Sequence, residues 1–307
     1  MTPTLLGIDI GGTKTAFVLG AADGTVIARH QIASGAERGY APMLADICRE
    51  AALLLAAHPS VAAVGAAVGG PLDAVAGRVL GPPHLPGWDD VPLAADLAAL
   101  GRPARIEHDA KAGALAEWRF GAGRGSDDMV FLTLGTGIGA GIISGGRLLR
   151  GRANLAGEIG HWRALPDGPA FYGKAGSLEG IASGAGIAAH ASWGWPATLG
   201  TVADAKALKD RADTGDADAV AAIEAAGTAL GSAAARLIDL LAPERIVLGS
   251  LAQRMGPAFT RPMHAAIARE ALPVSLAGCT VVDGAFGPAI GDVAALSVAL
   301  TALETSS

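Results

Sequence analysis

Cysteine is almost missing from this chain: there are two in 307 residues, Cys48 and Cys279, far from each other and outside any CxxC or histidine cluster. Neither a disulfide framework nor a cysteine-based metal site is indicated, and a reducing cytoplasm is the expected compartment. Aromatic residues make up 4% against 51% hydrophobic residues overall, so the core must be built largely from Ala, Val, Leu and Ile. Positive charge is also short, with 23 Lys and Arg against 29 Asp and Glu and a net charge of −6. With a sequence pI near 5.6, no nucleic-acid partner is expected, and a small polar or phosphorylated ligand fits better. Long apolar runs are lacking as well. Mean hydropathy is +0.40, yet Gly, Pro, His or charge interrupts every run well before the roughly 18 residues of a membrane span. A soluble chain with no membrane partner is expected. Met1 to Thr4 carries no basic region and runs straight into a strand, so no signal peptide is expected.

What is present is organised around Leu5 to Leu19, LLGIDIGGTKTAFVL. Leu5 to Ile10 and Thr15 to Leu19 are short, apolar and partly β-branched, as strands are, and Gly11 and Gly12 allow a sharp reversal with close approach to a ligand. Thr13 and Lys14 offer donors for phosphate oxygens. Asp9 could hold Mg²⁺ directly or through water, because hard cations prefer carboxylate oxygen. A P-loop is excluded by one position: Gly7 and Gly12 are spaced correctly, but Thr13 stands where lysine is required and a strand follows instead of a helix. The residues alone leave an ordinary solvated glycine turn as the alternative.

Further along, Asp23-Gly24 marks a hairpin turn into a third strand, Val26 to Ala28. Pro42 to Ala57 reads as a helix, and Val61 to Val68 as a buried strand ending in Gly69-Gly70-Pro71. Pro82 to Pro92 is irregular, Pro92 to Leu100 a short helix, and Arg105 to Glu107 a strand. Asp109 then opens a helix whose Ala110, Ala114, Leu115 and Trp118 recur at helical spacing. That strand-to-helix junction is where functional groups of α/β sheets gather.

Met129 to Leu149 repeats the opening plan of strand, glycine-rich reversal, strand, turn and strand, and Arg245 to Gly249 answers Val61 to Gly70. The spacing of Gly135, Gly137 and Gly139 fails as a dinucleotide fingerprint, since Ala140 takes the last glycine position and a strand follows. An internal duplication is expected: two similar α/β domains across a cleft, residues 1–108 with 288–307 and residues 109–287, hinged by short connections. Asp216 to Leu241 reads as a long core helix with a three-four stripe, and Pro288 to Leu303 as a last helix packing on the first domain. Glu304 to Ser307 should fray.

These residues together resemble the ROK family of sugar kinases, repressors and related reading frames, within the actin-like (ribonuclease H-like) ATPase superfamily. The likeness runs through GIDIGGTKT, AVGGPLD, LPGWDDVPL, HDAKAGALAEW, TLGTGIGAGII, AGEIGH with GSLEGIASG, and IVLGS. The resemblance implies ATP-dependent phosphorylation of a hexose, usually at the 6-hydroxyl, with Mg²⁺. Asp109 matches the family's catalytic base. Glu158, His161 and Glu179 match its readers of sugar hydroxyls, with Gly70 and His108 beside the sugar. Gly135, Thr136 and Gly137 match the second phosphate clamp, opposite Gly11, Gly12, Thr13 and Lys14; Gly249 matches the glycine beside adenosine, and Asp9 organises Mg²⁺ through water. A homodimer is expected by family habit.

The sequence departs from the family in two respects. Most members bear a zinc held by the GEIGH histidine and three cysteines, and those thiol positions hold Ala170, Tyr172 and Ser177 here, so no zinc site is expected. Packing by Trp162, Phe171 and Tyr172 is then expected to position His161 and Glu179. His108 and His84 both stand where the family usually has asparagine, which leaves open whether the sugar is glucose, mannose, fructose, N-acetylglucosamine or N-acetylmannosamine. The family's repressors carry a helix-turn-helix ahead of a core that here starts at Leu5, so that class is not expected. A non-catalytic sugar sensor is the remaining rival.

Overall fold

The computed structural model describes residues 3–193 and 199–306. Met1, Thr2 and Ser307, which belong to the expected lead-in and frayed tail, lie outside the described residues. The chain divides into two compact units, one made of Met1–Arg124, Leu148–Ala156 and Phe286–Ser307, the other of Gly125–Arg147 and Gly157–Ala285.

The first unit begins with β1 (Thr4–Ile10), β2 (Lys14–Ala21), β3 (Val26–Ala33), α1 (Tyr40–Ala57) and β4 (Val61–Val68). A two-stranded ribbon, β5 (Leu72–Asp73) and β6 (Arg78–Val79), precedes α2 (Leu93–Ala98), β7 (Ala104–His108) and α3 (Asp109–Phe120). Its sheet is five-stranded in the order β3-β2-β1-β4-β7. β2 runs antiparallel to β1, and β4 runs parallel to both β1 and β7. Side chains alternate across a strand, so Leu6, Ile8 and Ile10 join Met43 and Ile47 of α1 in one core, while Leu5 meets Leu296 and Ala299 on the other face. Asp9 has the parity of Leu5 and therefore faces the closing helix. The third strand extends to Ala33, well past the expected Ala28. Its tail is nearly all exposed and carries Arg29, His30 and Gln31, the polar dress of an edge strand, which hides it from hydrophobic patterning.

The second unit supplies β8 (Met129–Leu134), β9 (Ile138–Ser144) and the short β10 (Arg147–Leu148), whose second residue belongs to the first unit. After β11 (Ala170–Phe171) and β12 (Lys174–Ala175) come α4 (Leu178–Ala182), α5 (Gly184–Trp193), α6 (Ala205–Asp213), α7 (Ala217–Leu241) and β13 (Arg245–Leu248). The unit closes with α8 (Ser250–Met255), α9 (Pro257–Glu270), α10 (Pro273–Ala277) and β14 (Thr280–Asp283), and α11 (Ile290–Glu304) returns to the first unit. Its sheet repeats the plan with five strands, β10-β9-β8-β13-β14. Val130, Leu132 and Leu134 pack against the buried face of α7, and α7 lies closely on α9. Two glycines make that approach possible: a methyl on Gly227 or Gly231 would collide with the carbonyl oxygen of Phe259 or Met263. Although α11 is long and apolar, its buried residues, Val293 to Ala299, are spent on β1, β4 and α3, as in a core helix.

Candidate active site

In the first unit, the β1–β2 turn closes through the Gly11 N–H, which donates to the Lys14 carbonyl at 3.0 Å. Ser34, from the end of β3, secures it: its hydroxyl donates to the Gly11 carbonyl at 2.6 Å and lies 2.9 Å from that of Thr15, while its N–H donates to the Thr13 carbonyl. The side chains of Thr13 and Lys14 are left exposed. Gly12 has no room for a side chain, since a Cβ there would lie 2.7 Å from the His84 carbonyl oxygen.

Asp9, one residue before the end of β1, is half-buried against Gly291, where even a methyl would strike its Oδ2. Its carboxyl is raised to about 6, by burial first and then by Asp109 and Asp292, with Arg29 partly offsetting them. Arg29 in turn holds Asp292, with Nε 3.0 Å from both carboxylate oxygens. With Asp109 and Asp292 both acting on Asp9 and Arg29 only partly offsetting them, the charge around Asp9 is negative, and its carboxylate oxygen is of the kind a hard divalent cation prefers.

Strand β7 delivers His108 and α3 begins at Asp109. His108 is the N-cap: its Nδ1 accepts from the Ala110 N–H at 3.2 Å and lies 3.1 Å from Asp109 Oδ1. The same N–H donates to Asp109 Oδ1 at 2.6 Å. The Asp109 side chain is 54% exposed against 16% for His108. The His108 ring lies against Gly70 and the His84 ring against Gly69, so any side chain on that loop would run into an imidazole. Burial holds the His84 imidazole below its usual range, with Asp109 working in the opposite direction. The first unit thus gathers Asp9, Gly11 to Lys14, Gly70, His108 and Asp109.

In the second unit, the Gly135 N–H donates to the Gly137 carbonyl at 3.1 Å, closing the β8–β9 turn. The carbonyls of Gly135 and Thr136 accept from the first N–H groups of α5, those of Gly184 and Ala185. Glu179, early in α4, seats its carboxylate on this turn, where Oε2 accepts from the Ile138 N–H at 2.9 Å. A Cβ on Gly137 would lie 2.6 Å from that oxygen, and one on Gly160 would lie 3.3 Å from it. Glu158 and His161, on either side of Gly160, are exposed. Gly249 follows β13 and donates its N–H to the Leu132 carbonyl at 2.8 Å, beside the same turn.

Hydrogen bonds hold the loop after His161. Lys174 Nζ donates to the His161 carbonyl at 2.6 Å, Arg163 to the carbonyls of Pro166 and Ala175, and the Trp162 carbonyl accepts from the Leu178 N–H. Ser177, at a former thiol position, caps α4 by accepting from the Gly180 N–H at 3.2 Å. Tyr172 is not a packing residue as expected: it sits at a turn with φ 48°, 67% exposed. Among the described residues no group of three or more His, Cys, Asp and Glu side chains could hold a metal ion. Sequence reasoning missed Ser34, Asp292, Glu107 and Asn154. The only hint of them was a charged or polar residue where the pattern calls for an apolar one, as at Glu107 in a buried strand.

Comparison with known proteins identifies the family. The sequence model of the ROK family matches residues 5–287. A glucokinase of Thermotoga maritima is 33% identical over 281 residues, 88% of each chain. An N-acetylmannosamine kinase of Shigella boydii is 40% identical over 221 residues, 70% of this chain and 72% of its own. The solved structure of a ROK family glucokinase from Streptomyces griseus, in complex with glucose and AMPPNP, superposes with a TM-score of 0.80 at 31% identity, covering 97% of this chain and 99% of that one. One family pattern thus runs through both five-stranded units, including the glycine turns and the β7–α3 junction. The units have the actin-like ATPase fold, and the chain belongs to the ROK family.

Proposed function

We propose that the chain is a sugar kinase that transfers the γ-phosphate of MgATP to the 6-hydroxyl of a hexose. The observation that carries this reading is Asp109: an exposed carboxylate, anchored through one oxygen by the Ala110 N–H, standing at a strand-to-helix junction within electrostatic reach of the half-buried Asp9. As general base, Asp109 takes the hydroxyl proton while the sugar oxygen bonds to the γ-phosphorus and the bond to the bridging oxygen breaks, leaving ADP. Asp9 holds Mg²⁺ through water, which suits a carboxylate in need of a cation. When bound, Mg²⁺ neutralises phosphate oxygens and makes the phosphorus a better electrophile. The two glycine turns, Gly11 to Lys14 and Gly135 to Gly137, present backbone N–H groups to phosphate, and Gly249 lies beside adenosine.

His108 meets a sugar hydroxyl; Glu158 and His161 read others, and Gly70 keeps the loop close. Glu179 serves the sugar and the turn together, since one of its oxygens is already given to the Ile138 N–H. A homodimer in the cytoplasm completes the reading. The likeness to N-acetylmannosamine kinases favours a second acceptor class, 2-acetamido hexoses, at the same site.

The test is sugar-dependent ADP release with MgATP across glucose, mannose, fructose, N-acetylglucosamine and N-acetylmannosamine. One sugar should be clearly preferred, and Asp109→Asn should cut kcat by about 10²- to 10⁴-fold while sugar binding by calorimetry persists. Sugar binding with no ADP release from the unaltered chain would replace the kinase reading with a sensor.

A further inference from the structure

Glu107 is a carboxylate in the buried part of β7, its side chain 3% exposed, yet its hydrogen-bond partners lie in or next to the machinery just described. Its Oε1 accepts from the N–H of His108 and from Asn154 Nδ2, both at 2.9 Å. Its Oε2 accepts from Arg150, through Nη2 at 2.9 Å and Nε at 3.2 Å. One turn into α3, the buried Lys111 sends its Nζ to the Asn154 carbonyl at 3.0 Å. Charges are buried at a cost that only good geometry repays, and here two of them hold one asparagine.

The segment they hold is short and unusual. Arg150 to Ala156 curls back so that the Ala156 N–H donates to the Arg150 carbonyl at 3.0 Å. Ala153 and Asn154 are successive left-handed residues with φ 50° and 60°, a conformation that L-residues rarely adopt unless their surroundings impose it. By sequence this stretch lies between β10 and the Glu158 loop, but it packs in the first unit. Glu107 and Lys111 bracket His108 and Asp109 and fasten this one segment from both sides.

We propose that Glu107, Lys111, Arg150 and Asn154 form a positioning network for the catalytic base. Glu107 fixes the peptide of His108, Lys111 fixes the first turn of α3, and the curled segment ties the two together, so that Asp109 is presented in one direction only. The segment is thereby a working part of the β7–α3 junction, and Asn154 acts on catalysis without touching substrate. This rests on the reading of Asp109 as general base.

Two measurements on the full chain test it: the kcat and KM of ADP release, and amide hydrogen exchange in peptides covering residues 106–112 and 148–156. Asn154→Ala and Arg150→Ala should each lower kcat by about 10- to 100-fold, the scale of a misplaced catalytic group, with the KM for sugar and MgATP moving less than about threefold. Both should speed exchange at 106–110, although the altered residue lies in the other segment. Arg150→Lys, which keeps a donor for Glu107, should recover most of the kcat. An unchanged kcat, or faster exchange confined to 148–156, overturns the proposal. If the unaltered chain turns over no sugar, the kinase reading fails, and the exchange at 106–110 still decides whether the network holds the junction.

Discussion

The two glycine hairpins follow the same backbone plan and keep their charge in different places. In the first, Asp9 stands on the strand itself, two residues before Gly11, and the turn is tied down by hydroxyls from Ser34 and Thr15. In the second, Thr133 occupies the corresponding position before Gly135, and the carboxylate arrives from a helix, as Glu179 bonded to the Ile138 N–H. A duplicated turn has thus become two devices. One carries an acid on its own strand, suited to a cation; the other is braced by an acid from a neighbouring helix. The shared part is the main chain, and the difference lies in which element supplies the oxygen.

Breaking that asymmetry should give its largest effect at the acid on the strand. Asp9→Asn is expected to lower ADP release by about 10²- to 10³-fold, the usual loss when a preorganised charge-stabilising group is removed. Thr133→Val, at the matching position of the other hairpin, should leave the rate within about threefold, because no carboxylate is lost. Equal losses in the two variants would erase the distinction.

Space around the turns gives the next effect. Gly12→Ala presses a methyl on a main-chain oxygen that cannot easily yield and should cost about 1–3 kcal/mol in urea unfolding. Gly137→Ala meets the end of the Glu179 side chain, which can swing away, so its stability cost should be smaller and its effect should fall on sugar KM. Gly135→Ala has nothing within 4 Å and should unfold within about 0.5 kcal/mol of the parent.

A separate expectation concerns pH. Burial, with Asp109 and Asp292, raises the folded carboxyl of Asp9 to about 6. The folded chain therefore holds this proton at pH values where the unfolded chain has released it, and the Asp9 contribution to stability falls as pH rises from about 4 to 6 and stays lost above. Asp9→Asn should match the parent near pH 4 and exceed it by roughly 1–3 kcal/mol near pH 7.5, without divalent cation. Urea midpoints at the two pH values check the sign.

Much of this was legible from local pattern. The β1–β2 hairpin, β4, the start of α3, the repeated hairpin and the stripe of α7 all announce themselves by period and by turn residues, because each buries one face. What local pattern could not give is what distant residues do to a site. Asp292 follows Asp9 by nearly the whole chain, and only the return of α11 to β1 brings it near. The polar tail of β3 reads as loop because an edge strand buries so little. Lys111 and Asn154 look like surface residues until the fold brings them to Glu107 and to each other. The roles of Ser177 and Tyr172 could not be read from the missing thiols, since a hydroxyl capping α4 and an exposed turn are decided by the loop's three-dimensional path.

The contact between α7 and α9 bears on how this lineage can drift. With few aromatics, the second unit brings helices together by subtraction, main chain against main chain at Gly227 and Gly231. Interiors of this kind are already dense, so the prohibited change is the gain of one carbon, not the loss of several. Neutral exchange among leucine, valine and alanine stays open across the rest of the helix, while these two sites are closed to any other residue unless α9 moves with them. Homologues should therefore differ least where the side chain is smallest.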